Sequence, residues 1–135
     1  MTAFTVLIVD DEIDFLETLA KRLEKRNLTV LKAASGLEAL ETIGRTTVDV
    51  VALDVRMQGM DGIETLRAIK AADEAIEVVM LTGHASVEVA VEGMELGAFD
   101  YLMKPMNIDE LVFKLQDAFQ ARELKIKGRM QGDST

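Results

Sequence analysis

Short apolar runs alternate with amphipathic stretches along most of the chain. In most of these runs both odd and even positions are apolar, and many residues are β-branched, which is typical of strands buried on both faces. The predicted strands are Phe4–Val9, Thr29–Ala33, Val48–Leu53, Ile76–Leu81 and Ala98–Met103. The second run is the least apolar, and we therefore expect it at an edge of the sheet.

The stretches between the runs carry apolar residues at helical spacing and predict five helices. Their apolar faces are Ile13, Leu16, Leu19, Ala20 and Leu23; Leu37, Leu40 and Ile43; Ile63, Leu66 and Ile69; Val87, Ala90, Val91 and Met94; and Ile108, Leu111, Val112, Leu115 and Phe119. Helix starts are indicated at Ser35-Gly36, Asp61-Gly62, Ser86 and Asn107. Strict alternation of strand and helix predicts an α/β fold, a doubly wound parallel sheet with helices on both faces.

Length and composition favour one folded domain. The chain has 135 residues, of which 49% are hydrophobic and 29% are charged, as in globular domains rather than disordered chains. We expect the domain to span residues 1–124. Residues 125–135 are polar and include Gly128 and Gly132, so we expect a frayed tail or the start of a linker there.

Charge and missing residue types narrow the functional classes. A net charge of -9 argues against nucleic acid or an anionic membrane as the main partner. No apolar run reaches the roughly 20 residues that span a bilayer, and residues 1–9 lack the pattern of a signal peptide. The chain has no cysteine, so neither disulfides nor thiol chemistry are expected. These features predict a cytoplasmic protein.

Polar side chains follow the predicted strands at the points where they end. Asp10 and Asp11 follow the first strand, Asp54 the third, Thr82 the fourth and Lys104 the fifth. In open parallel sheets, ligands bind beyond the carboxyl ends of the strands, so we expect these groups to converge at one rim. An unpaired buried carboxylate is costly, so either water or a positive group should reach Asp54.

Three carboxylates at one rim require positive charge nearby. Two like charges about 4 Å apart repel by roughly 4 kcal/mol at an effective dielectric near 20. Lys104 alone cannot compensate all three, whereas a divalent cation would, and an all-oxygen ligand set with room for water suits magnesium. A carboxylate at such a site can attack phosphorus and become an aspartyl phosphate, with Lys104 and Thr82 as partners for the phosphoryl oxygens.

These residues resemble the receiver domain of bacterial two-component response regulators. The resemblance covers residues 4 to about 122, and the motifs occur in the expected order, with those that carry the chemistry at the ends of strands. The motifs are Asp10-Asp11, Asp54, Asp61-Gly62, Thr82-Gly83-His84-Ala85, Gly97-Ala98-Phe99-Asp100-Tyr101 and Lys104-Pro105. The resemblance implies a flavodoxin-like (βα)5 fold with strand order 2-1-3-4-5.

The resemblance also implies roles for the acidic residues. Asp54 is expected to accept phosphate from a phosphohistidine of a sensor histidine kinase or phosphotransfer protein. Asp11, Asp54 and the backbone carbonyl of Arg56 are expected to ligate Mg2+, with Asp10 acting mainly through water. The chain would then be a signalling switch that catalyses at most its own phosphorylation and dephosphorylation, and not a turnover enzyme.

The remaining motif residues are expected to bind and transmit the phosphate signal. Lys104 and Thr82 would bind phosphoryl oxygens, and the Lys104–Pro105 bond is expected to be cis. Tyr101 is expected to swing inward when Thr82 moves. That would reshape the face made by the fourth helix, fifth strand and fifth helix. This face is the expected surface for a downstream protein, an attached output domain or a homodimer, and Val89 and Leu96 predict an apolar patch on it.

One position departs from the family pattern, and one residue invites a different role. Gln58 stands where many receivers have proline four residues after the phosphoacceptor, so the loop 57–61 is predicted to be less rigid. His84 is the single histidine. We interpret it as a residue that tunes phosphate hydrolysis at most, and not as a catalytic base.

Three other functional classes fit the pattern less well. A phosphatase of the haloacid dehalogenase type has its nucleophilic Asp after the first strand and a second Asp two positions later. In this chain Asp54 follows the third predicted strand, and the residue two positions later is Arg56. A flavin or nucleotide binder needs a phosphate-cradling loop, which Asp10-Asp11-Glu12 would repel. A receiver-like module without phosphorylation finds no support in the acidic set. The sequence leaves open whether the domain acts alone or belongs to a longer regulator.

Overall fold

Five strands form one parallel sheet in a computed structural model, which describes residues 3–57, 61–83 and 86–133. The strands are β1 (Thr5–Val9), β2 (Thr29–Ala33), β3 (Val50–Asp54), β4 (Glu77–Thr82) and β5 (Asp100–Met103). Their order is β2-β1-β3-β4-β5, and every neighbouring pair is parallel. This order confirms the predicted flavodoxin-like fold, with the least apolar strand at an edge.

Helices follow the strands in strict alternation. They are α1 (Ile13–Glu24), α2 (Gly36–Arg45), α3 (Gly62–Ala72), α4 (Val87–Glu95) and α5 (Ile108–Asp133). The side chains of Ser35 and Asp61 accept hydrogen bonds from backbone N–H groups in the first turns of α2 and α3, and Asn107 does the same for α5. Ser86 precedes α4 without a capping side-chain bond. The predicted helix starts are therefore confirmed.

Two apolar cores lie on opposite sides of the sheet. Because side chains alternate along a strand, Val6 and Ile8 of β1 enter one core while Leu7 and Val9 enter the other. Helices α1 and α5 cover the first core, and α2, α3 and α4 cover the second. With both faces covered, the polar ends of the strands remain as the place where chemistry can occur.

The buried face of α4 differs from the predicted one. Val91 and Met94 are 48% and 37% exposed, whereas Ala90 and Gly93 are buried and the side chains of Val89 and Leu96 pack against the second core. This orientation of α4 results from the small residues on one of its faces. A Cβ on Gly93 would collide with the Met80 side chain, so α4 lies against β4 along its alanine and glycine. Val89, Leu96 and Tyr101 are each partly exposed, and the small apolar patch predicted from them stays a prediction.

Two other residues of the predicted faces are also outside the core. Ile13 is 54% exposed and Leu37 is 62% exposed. Both stand in the first turn of their helices, close to the rim where the strands end. Hydrophobic spacing identifies the direction of a helix face but not how far the helix extends beyond the sheet.

Helix α5 continues through residues 125–133, where the composition predicted a frayed tail or linker. Basic side chains on this helix bind acids at the opposite end of the sheet from the rim. Arg122 pairs with Asp49 and Asp73 at 3.2 and 3.3 Å, and Lys125 pairs with Glu77 at 3.1 Å. The division into a domain at 1–124 and a tail stays a prediction. Within the described ranges, no helix is long and apolar enough to cross a bilayer.

Candidate functional site

The strand ends bring the predicted rim residues together. Asp54 is the last residue of β3 and Thr82 the last of β4, while Asp10 and Lys104 directly follow β1 and β5. Strand β3 lies between β1 and β4, which places Asp54 at the centre of the rim. The chain positions of these four residues are far apart, so it is the parallel sheet that collects them.

Asp10, Asp11 and Asp54 form one acidic cluster. Each offers a carboxylate oxygen, and these oxygens all lie within 4.8 Å of one another. Asp10 has no exposed surface, Asp54 is 7% exposed, and Asp11 is exposed to solvent. An all-oxygen set with one side open to water has the chemistry of a site for a hard divalent cation. The convergence predicted from the sequence is therefore present.

Backbone groups hold the buried carboxylates in place. The Glu12 N–H donates to Asp10 Oδ1 at 2.9 Å, and the Arg56 N–H donates to Asp54 Oδ1 at 3.4 Å. Asp11, Arg56 and Asp61 line a cavity of about 430 Å³. Arg56 thus stands beside both Asp54 and Asp11, and the ligation of a metal by its carbonyl stays a prediction.

Lys104 supplies positive charge to the cluster. Its Nζ lies 2.8 Å from Asp10 Oδ2 and 3.6 Å from Asp54 Oδ1. Burial disfavours the charged ammonium, but the hydrogen bond with Asp10 and the charges of Asp54 and Asp10 outweigh it, so the pKa of Lys104 is above its usual value. The Lys104 N–H donates to the Thr82 carbonyl at 2.7 Å, and the Lys104–Pro105 peptide bond is cis.

Asp54 is an unusually basic carboxylate. Burial has the largest effect and raises its pKa, and the charges of Asp10 and Asp11 raise it further. The Lys104 charge and the Arg56 N–H lower it, and the resulting pKa is about 6. The surroundings of Asp54 therefore disfavour the negative charge of its carboxylate. A bound cation would reverse this, because it would favour the ionised form.

Thr82 and Tyr101 occupy different places relative to the acidic cluster. Thr82 is completely buried at the end of β4, and its hydroxyl donates to the Gly83 carbonyl at 3.1 Å. Tyr101 lies two residues before the end of β5 and packs, half-buried, against the second core. The predicted roles of both residues stay predictions. Gln58, His84 and Ala85 lie outside the described residues.

Sequence reasoning missed one residue that shapes the site, Phe15, and did not foresee the close contact made at another, Gly62. The ring of Phe15 in α1 lies under Lys104, with Nζ 4.1 Å from the ring centroid. Gly62 allows α3 to approach the chain directly after Asp54, since a Cβ there would lie 2.5 Å from Val55 Cα. Phe15 stands one helical turn after Asp11, which is a weak sequence signal. The closeness of Gly62 and Val55 has no signal beyond the Asp61-Gly62 motif.

Comparison with known proteins gives one consistent family. The family model of the response regulator receiver domain matches residues 6–116. The chain is 44% identical over 113 residues to the transcriptional regulatory protein ZraR of Escherichia coli (strain K12), an alignment that covers 84% of this chain and 26% of that protein. A putative NtrX-like response regulator of Rickettsia bellii is 37% identical over 127 residues, covering 93% of this chain and 27% of the relative.

A solved structure agrees with the sequence relatives. A response regulator receiver domain protein from Clostridium thermocellum superposes with a TM-score of 0.86 at 32% identity and covers 90% of this chain and 98% of that chain. This chain spans about a quarter of the length of the curated relatives it matches. The sheet order, the rim residues and these matches agree, and the chain therefore belongs to the response regulator receiver domain family, the phosphoacceptor domains of two-component signalling systems.

Proposed function

We propose that Asp54 is the phosphoacceptor of this domain. The observation that carries the proposal is the placement of its carboxylate among Asp10 and Asp11, with all three oxygens within 4.8 Å and the Lys104 ammonium 3.6 Å away. A nucleophilic carboxylate beside cationic partners is the arrangement that transfer of a negatively charged phosphoryl group requires.

The acidic cluster fits a magnesium ion as cofactor. The donors are carboxylate oxygens, and Asp11 is open to solvent. Burial, together with the charges of Asp10 and Asp11, raises the pKa of Asp54 despite the opposing charge of Lys104, and a cation would favour its ionised form. Asp11, Asp54 and the Arg56 carbonyl would hold the ion, with Asp10 acting through water. When bound, magnesium would neutralise charge on the transferring phosphoryl group.

Transfer of the phosphoryl group forms one bond to phosphorus and breaks another. A carboxylate oxygen of Asp54 attacks phosphorus, a new O–P bond forms, and the P–N bond to the donor imidazole breaks with its electron pair remaining on nitrogen. Lys104 and Thr82 bind phosphoryl oxygens during this exchange. Lys104 must then turn from Asp10, its partner at 2.8 Å, toward Asp54. Attack of water on phosphorus later releases phosphate and restores the carboxylate.

The domain acts as a switch and performs chemistry only on itself. We infer that the phosphate donor is a phosphohistidine of a sensor kinase or phosphotransfer protein. The signal leaves through the face of α4, β5 and α5, where Val91 and Met94 are exposed apolar residues. A downstream protein, an attached output domain or a second copy of the chain would bind there. Relatives several times longer than this chain support the attached-domain form.

Phosphorylation by a small donor tests the proposal. Wild-type protein incubated with acetyl phosphate and magnesium should gain one phosphoryl group by intact-mass measurement, and addition of a chelator should prevent it. Asp54→Asn should gain none, because an amide is not a nucleophile here. Asp117→Asn, which alters an exposed carboxylate of α5, should behave like the wild type. Equal phosphorylation of Asp54→Asn would refute the proposal.

A further inference from the structure

The Lys104 ammonium is enclosed between carboxylates and an aromatic ring. Its Nζ lies 2.8 Å from Asp10 Oδ2 and 3.6 Å from Asp54 Oδ1, and 4.1 Å from the centroid of the Phe15 ring. The Lys104 side chain is only 22% exposed. A cation at this distance over a ring face is attracted by the ring quadrupole, more strongly where water is largely excluded.

The contact of the ammonium with Phe15 depends less on its orientation than its hydrogen bond with a carboxylate does. A hydrogen bond with Asp10 fixes the direction of one N–H, and it is lost when Lys104 turns away. The attraction to a ring face depends mainly on position over the ring, so the ammonium can rotate there without losing it. The ring can therefore hold the charge at the rim while its hydrogen-bond partner changes.

We propose that Phe15 is a positioning residue for Lys104 in phosphoryl transfer. Its ring keeps the ammonium between Asp10 and Asp54, so that exchange of the Asp10 carboxylate for a phosphoryl oxygen on Asp54 needs only a small rotation. This inference rests on the proposed function, since it assigns Phe15 a role in the phosphorylation of Asp54.

The surroundings of Phe15 separate this role from simple packing. Its half-buried ring packs against the first core and also lines a groove of about 250 Å³, together with Thr18, Arg22, Pro105 and Met106. A leucine could fill the core side of this position and would lose only the ring face. A hydroxyl on the ring has the groove to occupy, so Phe15→Tyr should retain both packing and the ring face.

A spectroscopic measurement tests the contact without any phosphorylation. Protons on the Lys104 ε-carbon should resonate upfield in the wild type, because the ammonium bonded to this carbon lies 4.1 Å from the ring centroid, and should keep that shift in Phe15→Tyr. The shift should be lost in Phe15→Leu. Phe113→Leu removes an exposed ring from the second turn of α5 and should leave the Lys104 signal unchanged. An unshifted Lys104 signal in the wild type would overturn the proposal.

The rate of phosphorylation by acetyl phosphate and magnesium tests the role. Phe15→Leu should be phosphorylated about three- to tenfold more slowly, the size expected for a partly desolvated cation–π contact. Phe15→Tyr and Phe113→Leu should remain close to the wild-type rate. If Phe15→Leu does not fold, Phe15→Met offers a second side chain without a ring.

The outcomes distinguish this inference from the proposed function. A folded Phe15→Leu or Phe15→Met variant with the wild-type rate overturns the positioning role while leaving Asp54 as phosphoacceptor. A wild-type protein that takes up no phosphate overturns the proposed function, and with it the role of Phe15 in transfer. A slow Phe15→Tyr variant that keeps the upfield shift would also contradict the role, because the ring face would then be insufficient.

Discussion

Lys104 and Asp10 form an ion pair of 2.8 Å in which the carboxylate has no exposed surface. The pair compensates a buried charge that would otherwise be costly. It also means that the lysine expected to bind phosphate is engaged elsewhere in this structure, with Asp54 farther away at 3.6 Å. The stability of the domain and the readiness of the site for phosphate are therefore linked through one side chain.

Removal of this lysine should destabilise the fold. Lys104→Ala leaves the Asp10 carboxylate buried, with the Glu12 N–H as its remaining partner among the described residues, which we expect to cost about 1–3 kcal/mol in the free energy of unfolding. Magnesium should recover more stability in this variant than in the wild type, since a divalent cation supplies the missing charge. Urea unfolding with magnesium or with a chelator measures both effects.

An exposed ion pair provides the control for that measurement. Lys32→Ala breaks a pair with Glu17 whose side chains are 41% and 47% exposed, and it should cost less than about 1 kcal/mol. Its response to magnesium should match the wild type. Equal stability of the Lys104→Ala and Lys32→Ala variants would mean that the ion pair at the rim does not stabilise the fold.

The raised pKa of Asp54 predicts a pH dependence of opposite sign to that of a paired carboxylate. Its pKa is about 6 in the folded chain against 3.8 ordinarily, so the folded state holds the proton more tightly. Without magnesium, ionised Asp54 costs stability above pH 6, and that cost should disappear as the pH falls from about 6 to 3.8.

The variant Asp54→Asn isolates this effect. It should be more stable than the wild type at pH 7 in a chelator, and the difference in unfolding free energy should shrink as the pH falls through that window. Effects of carboxylates that lie away from the rim cancel in the difference. A gap between Asp54→Asn and the wild type that widened on acidification would contradict the assignment.

The closeness of α3 to the chain after Asp54 predicts a strict requirement for Gly62. A Cβ at this position would lie 2.5 Å from Val55 Cα and 2.7 Å from the Val55 carbonyl oxygen, and backbone cannot move aside cheaply. Gly62→Ala should therefore lower the free energy of unfolding by about 1–3 kcal/mol. For Gly44 in α2, no described residue outside its own stretch of helix has an atom within 4 Å of such a Cβ, so Gly44→Ala should raise the free energy of unfolding by up to about 1 kcal/mol.

Urea unfolding of the two variants checks this prediction. Magnesium affinity should also fall in Gly62→Ala, because displacement of Val55 moves the neighbouring Asp54. If Gly62→Ala were as stable as Gly44→Ala, the close approach of α3 to Val55 would be wrong.

The sequence predicts the site well because a parallel sheet brings together the residues that stand at the carboxyl ends of its strands. Asp54 and Thr82 each end an apolar run, and Lys104 follows one, so reading the strand ends is enough to group them. The alternation of strands and helices likewise determines the fold class, since right-handed crossovers leave few topologies.

The sequence predicts helix orientation poorly where small residues make the contact. On α4 the buried positions are Ala90 and Gly93. The hydrophobicity pattern includes Ala90 but passes over Gly93, and it adds Val91 and Met94, which are exposed. The length of α5 was missed for a related reason. Its last turns bear charged residues such as Lys125, whose partner Glu77 is distant in sequence and could not be found from local composition.

Transmission of the signal is expected to depend on the Thr82 hydroxyl. Thr82→Ala should still be phosphorylated at Asp54 but should respond less on the face of α4, β5 and α5. A coupling of about 1–3 kcal/mol would change partner binding 5- to 150-fold. Amide hydrogen exchange with and without beryllofluoride, a mimic of an aspartyl phosphate, should change across residues 86–106 in the wild type and much less in the variant.

A second buried threonine serves as the control. Thr65 is also completely buried, with its hydroxyl bonded to the Asp61 carbonyl at 2.8 Å on α3. Thr65→Ala should retain the wild-type response to beryllofluoride if it folds. A full response in Thr82→Ala would show that another group relays the signal.

The most direct test of the account is the location of the phosphate. Wild-type protein treated with acetyl phosphate and magnesium would be reduced with borohydride, which converts an aspartyl phosphate to homoserine, and then mapped by tandem mass spectrometry. The account predicts homoserine at position 54 alone, and none when magnesium is chelated. Homoserine at Asp10 or Asp11, or phosphate on His84 or a serine, would contradict it.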